Sequence, residues 1–153
     1  MNSDNRHISS GKIRFALAVN REGRFEKQHF GDADRFLVYE WDDPNWFFLH
    51  EKPNIFKEEE ENPVHGLPEK GRNIMEYLEK SGVNVLVSTR FGRNIRLVHR
   101  KFIPVIVNPT DPGKVMHLIG KHMRWIQDEL SCRPGKFRLF KLRKGILKIP
   151  VKQ

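Results

Sequence analysis

The sequence predicts an α/β domain built on a mixed five-stranded sheet, with an antiparallel β-β-β meander followed by α-β-α-β-α and helices on the sheet's faces. Three observations predict it. Apolar residues alternate with period two, or form β-branched and aromatic runs, in three early segments. The period changes to that of a helix from Lys70 onward. Short β-branched runs then alternate with helical stretches, the pattern of parallel strands joined by right-handed crossovers.

Residues 13–19 (IRFALAV) alternate large Ile13, Phe15, Leu17 and Val19 with Arg14, Ala16 and Ala18. This is a strand, and its alanines suit a face closely covered by a helix. Residues 20–23 read as a turn. Residues 36–41 (FLVYEW) form a second strand and 46–51 (WFFLHE) a third, joined as a hairpin through Asp42-Asp43-Pro44-Asn45. A long polar loop follows over residues 52–68, with an acidic run at 58–61; loops of this length tend to serve function.

Ile74, Met75 and Leu78 share one face of a helix over residues 70–80, which Gly82 stops. Residues 83–88 (VNVLVS) form a strand, 94–102 a helix carrying Ile95, Val98 and Phe102, and 103–107 (IPVIV) another strand. Pro104 favours an edge position there. Asp111-Pro112 supplies an N-cap and a first-turn proline to one helix whose stripe runs Val115, Leu118, Ile119, His122, Met123, Ile126 and Leu130. Beyond it, residues 136–151 read as a basic hairpin turning at Arg143-Lys144-Gly145, though the alternation slips at Phe140. The organisation is thus a loose tail at 1–11, the α/β domain at 12–131 and a basic extension at 132–153.

Composition narrows the function. The single cysteine, Cys132, excludes a disulfide scaffold and a four-cysteine metal site within one chain. The polar N-terminus has no apolar core and no stretch is long enough to span a bilayer, so a cytoplasmic protein without a membrane partner is expected. The net charge of +9 draws anions. It is unevenly spread: after Glu129 no acidic residue remains, while eight lysines and arginines follow.

Three segments, in this order, resemble the dinitrogenase iron-molybdenum cofactor biosynthesis family, which includes NifX-like proteins and the C-terminal part of NifB-like proteins. They are residues 13–41, with the strand, turn, His29-Phe30-Gly31 and second strand; residues 61–95, with Asn62-Pro63, His65-Gly66 and the helix ending in GVNVLV; and residues 102–107, FIPVIV. The resemblance covers roughly residues 12–130. It implies an RNase H-like fold and the binding or carriage of an iron–sulfur or iron–molybdenum-type cluster, with cluster donor or acceptor proteins as partners. The chain departs from the family after its fourth strand: where relatives often have a small, glycine-rich loop, it reads STRFGRN.

In open α/β sheets ligands collect beyond the carboxyl ends of parallel strands. The loops there contain His29 and His65, each near a glycine (Gly31, Gly66) that permits close backbone approach. Both imidazoles are candidate metal ligands; the competing reading makes them loop-capping or solvated residues. Gly92-Arg93-Asn94 opens a helix, whose free N–H groups together with Arg90 and Arg93 would favour an anion. His50, His99, His117 and His122 read as packing or surface residues. A non-catalytic cluster carrier is the leading function. A nucleic-acid-binding module comes second, motivated by the basic tail with Phe137 and Phe140. A protein-docking domain is a third reading. A nuclease is disfavoured because the first strand carries no carboxylate.

Overall fold

The computed structural model describes residues 12–58, 69–143 and 146–151. Seven strands form one mixed sheet: β1 (Lys12–Val19), β2 (Arg35–Asp42), β3 (Asn45–Pro53), β4 (Val85–Ser88), β5 (Ile103–Val107), β6 (Leu139–Leu142) and β7 (Ile146–Ile149). The helices are α1 (Glu69–Glu79), α2 (Ile95–Val98), α3 (Pro112–Lys121) and α4 (Met123–Cys132). Strand order is β3-β2-β1-β4-β5-β6-β7. The meander β1-β2-β3 is antiparallel, β1, β4, β5 and β6 run parallel to one another, and β7 turns back against β6.

The alternation in β1 assigns its two faces. Ile13, Phe15, Leu17 and Val19 pack with Val115, Ile119, Met123 and Ile126 from α3 and α4. Ala16 and Ala18 face Phe30 and the α1 residues Ile74, Met75 and Leu78. Small side chains let α1 approach, and large ones fill the deeper layer under α3 and α4.

The sheet is larger than the five strands expected from the sequence. β6 adds to β5 in parallel, with Val105 opposite Phe140, and β7 completes a hairpin. The slip in the hydrophobic pattern has a local cause. Phe137 is buried but precedes the strand, held by His99: its N–H donates to the His99 carbonyl at 3.0 Å, and its own carbonyl accepts from His99 Nδ1 at 3.2 Å. The strand's inward residues, Phe140 and Leu142, then start a new register. Glu129 and Arg138 fasten the extension from the other side. The Glu129 carboxylate, fully buried, accepts from Arg138 Nη2 at 2.8 Å, from Nε at 3.0 Å and from the Arg138 backbone N–H at 2.7 Å.

Three further expectations change. Pro104 lies in an interior strand, between β4 and β6. It is tolerated because β6 pairs only from Val105 onward, so the missing N–H falls short of that ladder. The helix expected over 94–102 is a 3₁₀ turn, Gly92–Asn94, followed by the four residues of α2. The long helix after Pro112 is two helices broken at His122 (φ −114°, ψ 24°). The expected start is present: the Asp111 side chain accepts from the Lys114 N–H, with Pro112 in the first turn. Among the described residues no helix is long and apolar enough to cross a membrane.

Candidate functional site

The site forms where the chain leaves β1 and β4, neighbouring parallel strands that end at the same rim. After Val19 the chain makes a tight turn, in which Asn20 Oδ1 accepts from the Glu22 and Arg24 N–H groups at 3.0 Å each. It then crosses toward the end of β4. There the Thr89 hydroxyl donates to the Glu26 carbonyl at 2.6 Å, and the Phe30 N–H donates to the Arg90 carbonyl at 3.1 Å. Phe30 and Phe91, both buried, pack ring to ring with centroids 5.6 Å apart. The two loops are therefore sewn together by one backbone bond, the Thr89 hydroxyl and one aromatic contact.

Residues 30–32 form a 3₁₀ turn, with His29 immediately before it. Buried Asn54, just past β3, clamps this turn: its Nδ2 donates to the Gly31 carbonyl at 2.9 Å and to the Ala33 carbonyl at 2.8 Å. Lys57 pairs with Asp34 on the far side of the clamp. The Lys57 ammonium holds the Asp34 carboxyl below its ordinary pKa, and the carboxylate raises that of Lys57 in return.

Gly92 receives the His29 ring. A Cβ at position 92 would lie 2.9 Å from His29 Nε2 and 3.2 Å from each of Cδ2 and Cε1. An atom ahead of Nε2 in the ring plane would be clearly farther from the two carbons than from the nitrogen. The near-equal distances put Gly92 over the face of the ring at Nε2. The in-plane lone pair of that nitrogen is thus not directed at Gly92, and His29 is exposed. Gly92 also has φ +60°, a left-handed conformation natural to glycine.

A third segment completes the rim from the start of α1. The Lys70 stem runs over Gly31, with Cε 3.4 Å from where a Gly31 Cβ would stand. The side chain is 8% exposed, and its ammonium lies 3.2 Å from Asp32 Oδ1. Gly71 touches the 3₁₀ turn of the other loop: a Cβ there would lie 2.5 Å from Asn94 Oδ1.

The structure thus brings His29, Gly31, Gly92 and Asn94 together, with Arg90 joined through its carbonyl. The Arg90 and Arg93 side chains are exposed. His65 and the end of the long loop lie outside the described residues. The argument for an anion at a helix start is corrected, because α2 spans four residues and the Asn94 N–H already bonds the Phe91 carbonyl. So short a helix has little dipole to offer. What remains attractive to an anion is the charge of the exposed arginines. The nucleic-acid reading also loses its footing: Phe137 and Phe140 are 6% and 0% exposed, buried in the core and closed to stacking on bases.

Sequence reasoning missed Lys70, Asn54 and Thr89. A lysine–glycine pair at a helix start was the available signal for the first. The other two are hidden because the carbonyls they bond across the rim lie more than twenty residues away, although Asn54 also makes a local turn by accepting from the Phe56 N–H. Among the described residues no three His, Cys, Asp or Glu side chains gather as a metal site. Asp32 and Asp34 are each engaged by a lysine. The exposed His29 imidazole stands beside the loop that carries the exposed Arg90 and Arg93.

No curated protein matches the sequence. A model of the family described as dinitrogenase iron-molybdenum cofactor matches residues 11–121, from β1 to the end of α3, leaving α4, β6 and β7 outside the match. That span exceeds two thirds of the chain and contains every described site residue, so the protein belongs to the dinitrogenase iron-molybdenum cofactor family.

Proposed function

We propose that the protein binds and carries an anionic iron–sulfur or iron–molybdenum-type cluster on an RNase H-like core, without turning it over, in the cytoplasm. It would exchange this cargo with cluster donor or acceptor proteins. The observation that carries the reading is the His29 ring lying face-on over Gly92, which leaves the Nε2 edge of an exposed imidazole free of that glycine. Neutral imidazole is a good ligand for iron and for softer metals. Arg90 and Arg93 would balance the cluster's negative charge, and arginine forks can also donate to its sulfides. His65 would serve as a second ligand from the long loop. Membership of the family supports the choice of cargo.

The test is anaerobic reconstitution with iron, sulfide and molybdate, followed by desalting. Bound metal and visible absorbance are expected for the wild type. His29→Ala should lose most of both. Replacing Arg90 and Arg93 together by glutamine should weaken retention about tenfold, as loss of charge-assisted bonds does. Equal metal retention in the wild type and His29→Ala would refute the assignment.

A further inference from the structure

β7 closes one end of the sheet. Among the described residues nothing pairs with its outer side, so part of its backbone N–H and C=O groups form an open edge. The strand is short and carries Lys148, which discourages pairing with copies of itself, but it also keeps apolar side chains at the edge. Leu147 is 58% exposed, and its cross-strand partner on the same face is Lys141. On the opposite face Lys148 stands across from Phe140, with its ammonium 4.8 Å from the centroid of the Trp125 ring of α4. Each face of the hairpin thus offers one lysine beside apolar surface. Arg124, Arg133, Lys136 and Arg143 are exposed on the neighbouring segments, and no acidic residue follows Glu129 in the sequence. Of the two acids on α4, Glu129 is buried and bound by Arg138, and Asp128 is exposed but outnumbered by these cations.

We propose that the β7 edge is a docking site for an extended acidic segment of a partner protein, which adds to the sheet as an eighth strand. Backbone bonds supply the pairing. Alternating apolar and acidic side chains on the incoming strand place apolar groups beside Leu147 and Ile149 on one face and acidic groups beside Lys148 on the other. Charge names the occupant. The opposite edge, β3, also exposes aromatic residues, Phe47 and Phe48, but its Glu51 is paired with Arg35 and no charge excess there selects a partner. A nucleic acid fits β7 poorly, because Lys148 covers the Trp125 face that a base would need. The proposal does not rest on the cluster reading, since β7 lies outside the segment matched to the family.

The experiment titrates the intact protein with a short peptide alternating valine and glutamate, and in parallel with a single-stranded oligonucleotide. Tryptophan emission and amide hydrogen exchange are followed. The peptide should bind with an affinity that falls as salt rises, and it should slow amide exchange within residues 146–149. Lys148→Glu should weaken it about tenfold, and Lys141→Glu less because Lys141 stands one strand farther in, both while melting like the wild type. Failure of the peptide to bind, or binding without protection in β7, overturns the proposal. So does tighter binding of the oligonucleotide that is lost in the same variants, or self-association of the free protein that Lys148→Glu abolishes, which would make a second copy the occupant.

Discussion

Glycine is required at position 92 for two independent reasons. The left-handed backbone there costs any other residue about 1–2 kcal/mol, and a Cβ would stand 2.9 Å from His29 Nε2. Gly92→Ala should therefore lower stability modestly in denaturant melts and lower cluster retention as far as His29→Ala does. The double variant should retain no less than either single one, because both changes remove the same placed imidazole. Asn54 acts on the same turn from below. Asn54→Ala leaves the Gly31 and Ala33 carbonyls without their side-chain donor, so a loss of about 1–3 kcal/mol is expected in the same melts. His99 sets a pH dependence. Burial, foremost, holds its pKa below the ordinary value, although its bond to the Phe137 carbonyl opposes this. A histidine depressed in the folded state stabilises fully above its unfolded value of about 6.5 and loses that contribution as pH falls below it. The melting temperature should fall between about pH 7 and pH 5, and His99→Gln should flatten that slope.

At the scale of elements, the C-terminal hairpin is part of the core. Phe137, Phe140 and Leu142 are buried in the same layer as β1 and β5. Truncation after Cys132 would strip away all three, each contributing about 2 kcal/mol of burial, and should leave a chain that melts early or fails to fold. The latch itself has a polarity. Arg138→Ala strands a fully buried carboxylate, whereas Glu129→Gln leaves a guanidinium that is 27% exposed and can hydrate. The first should cost more than the second, at about 3–5 kcal/mol, measured by chemical denaturation. These elements also show which parts of the fold were legible in the sequence. The alternation in 13–19, with its alanines, correctly indicates a strand covered by a helix on one face. The Asp111-Pro112 pair marks a real helix start. Phe140 broke the pattern because its register is fixed by a tertiary tether at Phe137, which no local period encodes. The break at His122 was hidden because the buried stripe Val115, Ile119, Met123 and Ile126 continues at helical spacing across it. Pro104 misled because its tolerance depends on where the neighbouring strand starts pairing.

On the scale of the whole molecule, four parallel strands end at one rim: Val19, Ser88, Val107 and Leu142. Arg90 and Arg93 follow β4, and Arg143 follows β6, about 10 Å away by two strand spacings. The candidate site was legible as far as His29 and the 90–94 loop, because glycine neighbours and strand ends mark such places. Its depth was not, because Lys70 and Asn54 arrive from elements distant in sequence. A carrier built on this rim should hold its cargo more weakly as ionic strength rises, most of all where the exposed arginines contribute. The central claim is that the His29 imidazole on its glycine shelf is bound to that cargo. Pulsed electron paramagnetic resonance of the reconstituted, reduced protein tests it most directly. In a His65→Ala background, where no second imidazole contributes, a nitrogen coupling is expected with His29 present and absent once His29→Ala is added at comparable metal content. The same coupling in both proteins would contradict the account.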